Sequence, residues 1–206
     1  VDREIARSGS PFAPRQVVLF SGHMVDAAHR EPPRFPAEQE AVAAARIGEA
    51  LDQLGVGPGD LALAQAASGG DLLFLEACRA RGLRLRPMLP FEEPEFIERS
   101  IVPASNGEQW RERYFALIAR LDEPPRIMPS ELGELPRDAR GIEANAYERC
   151  NLWLLYTALA WGIEKVRFVC LWNGGGGDGP GGTAHMYDEV RRRTGRVIWL
   201  DTRKLW

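Results

Sequence analysis

The chain is organised around residues 166–183, which read VRFVCLWNGGGGDGPGGT. The first six residues form a short apolar run that contains β-branched and aromatic side chains, as expected for a buried parallel strand. Residues 183–194 have the pattern of a helix. The glycines between them therefore form a loop that enters the amino end of a helix. Unpaired backbone N–H groups and the helix dipole favour an anion such as phosphate at that point.

The glycine loop alone leaves two interpretations open, a binding loop and a simple connector. It matches neither the P-loop nor the G-x-G-x-x-G pattern. Two other predicted strands, residues 17–20 and 61–64, also end in small polar turns that contain glycine. These turns are Ser21-Gly22-His23 and Ser68-Gly69-Gly70-Asp71. Since the carboxyl ends of parallel strands are where open α/β sheets bind ligands, the three turns together favour a binding site.

Short apolar strands alternate with helical segments along the chain and predict its fold class. Further strands are predicted at residues 85–89, 126–128 and 196–200, and helices at residues 38–54, 71–81, 105–121 and 145–161, with a capping box at Ser105 and Glu108. We expect an α/β, three-layer Rossmann-like domain with a mainly parallel sheet of five or six strands. At 206 residues it should be a single domain, 1–206, in which residues 1–15 form a loose lead-in. The proline-rich residues 31–36 would form a flap over the first polar turn.

Composition limits the classes of partner. The net charge of -3 gives no general attraction to nucleic acid or to an anionic membrane, and no apolar run is long enough to span a bilayer. The three cysteines, Cys78, Cys150 and Cys170, lack metal-ligand spacing and indicate reduced core thiols in a cytoplasmic protein. We expect no metal and no separate cofactor. The chain starts at Val1 instead of Met, which suggests a domain cut from a longer protein.

Four pieces, in this order, resemble the SLOG superfamily, a Rossmann-like group that includes the LOG phosphoribohydrolases and the DNA-processing protein DprA. The first two pieces are the polar turns at residues 21–23 and 68–71. The others are Leu89-Pro90-Phe91 at a strand end and the loop from residue 172 to residue 184. The resemblance implies a site for nucleotides or nucleotide-derived ligands, and it suggests a homodimer.

The resemblance also implies roles for individual residues. Gly181, Gly182 and Thr183 would hold phosphate through backbone N–H groups and one hydroxyl. Gly69 and Gly70 would let a second helix start approach the ligand closely. The full set of predicted ligand contacts is Ser21, Gly22, His23, Ser68, Gly69, Gly70, Asp71, Asn173, Gly174, Gly181, Gly182 and Thr183.

The chain departs from the hydrolase branch of this group, which resembles P-G-G-x-G-T-x-x-E. Met186 stands where the glutamate is expected, and Glu189 lies two turns into the helix. We therefore expect a nucleotide or second-messenger binding and sensing domain that regulates an attached or partner effector. The alternative is a nucleotide N-glycosidic hydrolase, for which Asp71, Glu76 and Glu148 are the candidate catalytic carboxylates. A DprA-like binder of single-stranded DNA is disfavoured by the acidic balance of the chain.

Several polar and aromatic residues have two open interpretations each. Asp71 either contacts a ribose hydroxyl or acts as a base, or it only places negative charge in a helix first turn. His23 and His185 are acid–base candidates, or they simply donate and accept hydrogen bonds. Trp172 either stacks on a base or belongs to the core. Asn151 either reaches the pocket from its apolar helix or is solvated near the helix start.

Overall fold

The computed structural model describes residues 12–176 and 181–206. Within them lies one sheet of six parallel strands, in the order β4-β3-β2-β1-β5-β6. The strands are β1 (Val17–Gly22), β2 (Leu61–Ala64), β3 (Arg84–Leu89), β4 (Arg126–Ile127), β5 (Val166–Trp172) and β6 (Val197–Asp201). The predicted Rossmann-like α/β class with five or six strands is confirmed, and the sheet is wholly parallel instead of mainly so.

Helices cover both faces of the sheet and make the domain three layers thick. They are α1 (Glu40–Gln53), α2 (Gly70–Ala80), α3 (Glu93–Ser100), α4 (Gly107–Ile118), α5 (Met128–Leu132), α6 (Ala146–Leu159) and α7 (Thr183–Thr194), with 3-10 turns at Ala37–Gln39, Ile163–Lys165 and Thr202–Lys204. Buried side chains of α1 to α4 share one core with alternate strand residues such as Val18 and Phe20. Those of α6 and α7 pack on the other face, against Val17 and Leu19.

The strand order places a topological switch point beside β1. From β1 the chain builds outward through β2, β3 and β4, and it then returns to add β5 on the opposite side of β1. Ser21 pairs with Cys170 and Gly22 with Leu171, so β1 and β5 end together. The connections out of neighbouring strands diverge at such a point, which leaves a crevice where open α/β sheets bind ligands.

Two local predictions differ from the structure. The capping box at Ser105 is wrong, because the Ser105 amide and hydroxyl both donate to the carbonyl of Asp26, at 2.8 and 2.7 Å. Asn106 in the left-handed region precedes α4 instead. The short helix α3 was not predicted, although Pro94 in its first turn is a favourable helix start. The three cysteines are free and buried, as expected.

Across the described ranges, no helix is both long and apolar enough to cross a membrane.

Candidate functional site

A cavity of about 380 Å³ lies at the switch point, a volume typical of small-molecule sites. The carboxyl ends of β1, β2 and β5 form its floor, and the first turns of α6 and α7 form its sides. The residues that line it are Phe20, Ser21, Gly22, His23, Met24, Arg34, Gln65, Ala67, Asp71, Ser100, Asn145, Tyr147, Asn151, Trp172, Gly181, Gly182, Thr183 and Ala184.

The amino end of α7 opens into this cavity. Gly182 precedes the helix, and among the described residues no side chain caps this end. The first turn of α7 carries no acidic residue, whereas its last turn carries three arginines. The Ser21 hydroxyl donates to the Thr183 hydroxyl at 3.3 Å, which brings two hydroxyl groups to the same point. The helix dipole and the first-turn amides, which have no partner within the helix itself, therefore favour an anion there. Residues 177–180 of the predicted loop lie outside the described residues.

Asn151 fixes the glycine turn before α7. Its side-chain Nδ2 donates to the carbonyl oxygen of Gly181 at 2.7 Å, and its Oδ1 accepts from Gln65 Nε2 at 3.0 Å. Gly181 has a φ of +86°, and a Cβ atom there would lie 2.5 Å from the amide nitrogen of Glu148. The carbonyl of Gly181 is thus held toward α6. Asn151 reaches the cavity wall, which decides between the two interpretations left open by the sequence.

His23 connects the three polar turns. Its backbone amide donates to Leu171, its carbonyl accepts from Gly70, and its ring Nε2 accepts from the Asn173 amide at 3.1 Å. Burial, together with the charge of Arg34, lowers the pKa of His23 to about 4. The ring is therefore neutral at pH 7, and its Nε2 is an acceptor. This arrangement supports the hydrogen-bonding interpretation of His23 over an acid–base one.

Asp71 presents a buried carboxyl group to the cavity. The residue is 6% exposed, and Oδ2 accepts from the Ala67 amide at 3.3 Å. Its other oxygen, Oδ1, is buried and has no hydrogen-bond partner in the part of the chain that the structure describes. Burial raises the pKa of Asp71 from 3.8 to about 7, and the nearby amides of Ala67 and Gly22 offset this only in part. The carboxyl group therefore changes its charge near neutral pH.

Replacing Asp71 with Asn is expected to remove a pH-dependent loss of stability. Because the folded protein holds this proton more tightly than the unfolded chain, the contribution of Asp71 is fully present below pH 3.8 and is lost as the pH rises through about 7. As the pH rises between these limits, the free energy of unfolding of the wild type should fall relative to that of Asp71→Asn by up to about 4 kcal/mol. Urea unfolding at several pH values measures the difference, and a pH-independent difference would contradict the prediction.

The other two candidate carboxylates, Glu76 and Glu148, are not among the residues that line the cavity. Glu76 forms a bidentate ion pair with Arg113, in which Nε and Nη2 of the arginine donate to the two carboxylate oxygens at 2.9 and 2.5 Å. Glu148 contributes its backbone amide to the cap of α6, where Asn145 Oδ1 accepts it. Of the three carboxylates that the sequence offered for catalysis, Asp71 is the one that lines the cavity.

The remaining predicted contacts are not among the residues that line the cavity, although they adjoin lining residues in the chain; they are Ser68, Gly69, Gly70, Asn173 and Gly174. Gly69 and Gly70 bring the start of α2 against the end of β1, and a Cβ atom on Gly69 would lie 2.6 Å from the Val25 amide nitrogen. Ser68 is buried, and its amide donates to the Ser100 carbonyl at 2.9 Å. Asn173 and Gly174 follow β5, with Asn173 bonded to the ring of His23. Within the described ranges, His185 is not among the lining residues.

Aromatic residues close one side of the cavity. Trp172 is largely buried, yet it lines the wall, and its indole N–H donates to the Gly175 carbonyl at 2.9 Å. Its ring packs against Tyr187 and Trp199, with centroids 5.2 and 5.5 Å apart. Trp172 is therefore a core residue that also faces the cavity, and its stacking on a base stays a prediction.

Several lining residues were not predicted from the sequence, among them Arg34 and Tyr147. Arg34 belongs to the proline-rich segment that was expected to lie over the first turn. The amides of Arg34 and Phe35 both donate to the Asp26 carboxylate, at 2.7 and 2.8 Å. The Tyr147 hydroxyl lies 3.1 Å from the Ser100 hydroxyl. Arg34 adds a positive charge to the wall, and through it the proline-rich segment reaches the cavity close to His23.

The fold and the cavity define a Rossmann-like α/β protein with a ligand-sized crevice at the switch point of its sheet. No protein-family model and no curated protein matches the chain. The solved structure of TM1055, a structural-genomics target, is 13% identical with a TM-score of 0.35, and the match covers 75% of this chain and 59% of that one. The Moco carrier protein from Chlamydomonas reinhardtii is 15% identical with a TM-score of 0.34, over 91% of this chain and 88% of that one. The chain thus spans under two thirds of TM1055, and similarity at this level transfers no ligand or activity to it.

Proposed function

We propose that the chain is a binding and sensing domain for a nucleotide or a nucleotide-derived second messenger. The observation that carries this proposal is the open amino end of α7 at the switch-point cavity. Backbone amides, two hydroxyl groups and the charge of Arg34 surround that cavity, and none of the described residues in the first turn of α7 is acidic. This is the donor set that a phosphate group requires.

We propose positions for the other parts of the ligand from the side chains that line the cavity. Phosphate would bind at residues 181–183, and the sugar would lie near residues 68–71, where the negative charge of Asp71 disfavours phosphate. Trp172 and Tyr147 offer aromatic surface for a base. From the three free, buried cysteines we further propose a cytoplasmic protein. From the SLOG resemblance we propose that it acts as a homodimer or through an attached or partner effector.

A thermal-shift panel of mono-, di-, cyclic and NAD-derived nucleotides tests the proposal. A ligand at a hundredfold excess over its dissociation constant stabilises the folded protein by about 2.7 kcal/mol, which is visible as a higher melting temperature. Arg34→Gln should weaken the shift, because it removes the charge but keeps a polar side chain. The exposed Arg46→Gln serves as the matched control. A well-folded protein that no nucleotide stabilises would refute the proposal.

A second candidate function, N-glycosidic hydrolysis of a nucleotide, is favoured by one observation. Asp71 is a buried carboxyl group in the cavity whose pKa of about 7 suits a general base at neutral pH. Chromatography of the same panel samples decides between the candidates. Release of free base by the wild type, but not by Asp71→Asn, would favour the enzyme, and bound but intact nucleotide would favour the sensor.

A further inference from the structure

The unpartnered oxygen of Asp71 sets a requirement on the ligand. A buried carboxylate oxygen that lacks a well-aligned hydrogen bond is not fully compensated for its lost hydration, which costs free energy. Oδ2 accepts from the Ala67 amide, and the amides of Gly22, Gln65 and Ala66 also lower the pKa of the carboxyl group. Oδ1 nevertheless has no hydrogen bond of good geometry among the described residues. The residue is more than nine-tenths buried and lines the cavity. A ligand that fits this wall should therefore bring hydrogen-bond donors to Asp71.

The position of Asp71 relative to α7 limits which donors can reach it. The turn after β2 and the turn after β5 flank β1 on its two sides. Both nevertheless reach the end of β1, where the Gly22 amide hydrogen-bonds to the Asp71 carboxyl group and the Ser21 hydroxyl donates to Thr183 at 3.3 Å. One sugar phosphate can therefore contact Asp71 at one end and the start of α7 at the other. The donors nearest to Asp71 would then be the sugar hydroxyls.

We infer that the pocket selects sugars with a vicinal diol, so that it binds ribose phosphates and ribonucleotides in preference to their 2-deoxy counterparts, with Asp71 accepting from the diol. This inference rests on the proposed function, because it takes the phosphate to lie at α7. Two adjacent hydroxyl groups match the two oxygens of a carboxylate. Acidic residues at the strand ends of doubly wound folds accept from ribose hydroxyls in the same way.

The nearby charged and titratable groups fit a neutral diol better than a cationic ligand group. Arg34 already supplies a cation to the wall, close enough for its charge to lower the pKa of His23. His23 itself is neutral, and burial raises the pKa of the Cys150 thiol beyond the physiological range. Hydroxyl donors add no further positive charge beside Arg34. They also stabilise the ionised form of Asp71, so ligand binding should lower its pKa.

The test compares ribose 5-phosphate with 2-deoxyribose 5-phosphate by calorimetric titration at pH 8, where Asp71 is ionised. The wild type should bind ribose 5-phosphate about tenfold to a hundredfold more tightly, since a hydrogen bond to a charged group is lost with the 2-hydroxyl. Asp71→Asn should bring the two dissociation constants to within about threefold, without weakening 2-deoxyribose 5-phosphate. Glu76→Gln, on the same helix but outside the cavity wall, should keep the wild-type preference.

Each outcome separates this inference from the proposed function. Equal affinity of the wild type for the two sugar phosphates would overturn diol selection and leave the phosphate site standing. If the sugar phosphates bind too weakly to measure, each ribonucleotide that shifts the melting temperature is compared with its 2'-deoxy counterpart, and equal shifts would overturn the inference. A protein that binds none of these phosphates would overturn the inference and the proposed function together. The wild-type comparison needs no variant, so it stands even if Asp71→Asn fails to fold.

Discussion

Gly182→Asp is expected to abolish binding of phosphate ligands while making the protein slightly more stable. Gly182 has an ordinary extended backbone, with φ -74° and ψ -171°, which an aspartate adopts without backbone strain. Its carboxylate would accept from the first-turn amides of α7, as good N-cap residues do, and should add roughly a few tenths of a kcal/mol to the free energy of unfolding. The same amides would then be unavailable to phosphate. Two charge-assisted hydrogen bonds of about 1.5–3 kcal/mol each are lost, which weakens binding at least a hundredfold.

Gly182→Asn is the matched control for this experiment. Asparagine caps a helix about as well as aspartate but carries no charge, so it should stabilise the protein to a similar degree and weaken binding less. Melting temperature and ligand affinity are measured on both variants. Unaltered affinity in Gly182→Asp would place the ligand elsewhere in the cavity and refute the phosphate site.

Gly69→Ala should destabilise the protein strongly, because it combines backbone strain with a steric clash. Gly69 has a φ of +89°, a conformation that alanine rarely adopts, and the added Cβ atom would lie 2.6 Å from the backbone nitrogen of Val25 and 3.0 Å from the carbonyl oxygen of His23. Since both contacts are backbone atoms, relief requires the end of β1 and the start of α2 to move apart. We expect a loss of about 3 kcal/mol or more, or roughly 6–12 °C in melting temperature.

Gly59→Ala separates the two causes of that loss. Gly59 has nearly the same φ, +90°, but no atom lies within 4 Å of the position of an added Cβ. It should therefore show the conformational cost alone, about 1 kcal/mol. Equal losses in the two variants would mean that close packing of α2 against β1 does not matter.

The elements whose signals are local were predictable from the sequence. Residues 183–194 become α7 with the predicted bounds, because the change from glycine to an amphipathic pattern is contained in the segment itself. The strands β1, β2 and β5 are also short apolar runs with obvious ends. Their parallel alignment brings the polar turns of residues 21–23, 68–71 and 181–183 to one edge, so the place of the cavity followed from the fold class.

The residues that the sequence did not reveal reach the site through contacts between distant segments. Arg34 lines the cavity because Asp26 holds the backbone of its loop, and Tyr147 does so because the cap at Asn145 orients the start of α6. A contact between distant segments also explains the wrong prediction at Ser105. Its hydroxyl donates to the carbonyl of Asp26 and does not cap the helix that follows. Which of these residues touch a ligand stays a prediction.

The ring of Trp206 stacks on the fully buried Phe35, with centroids 5.4 Å apart. Phe35 adjoins Arg34, so Trp206 leans on the segment that carries charge to the cavity. An affinity tag joined after Trp206 would disturb the packing of that segment. Affinities measured on such a protein would include this effect on Arg34. Phe12 packs instead on Trp161 and beneath Arg84, at the opposite edge of the sheet. The surface around Phe12 is therefore the better place for a label when binding is to be measured.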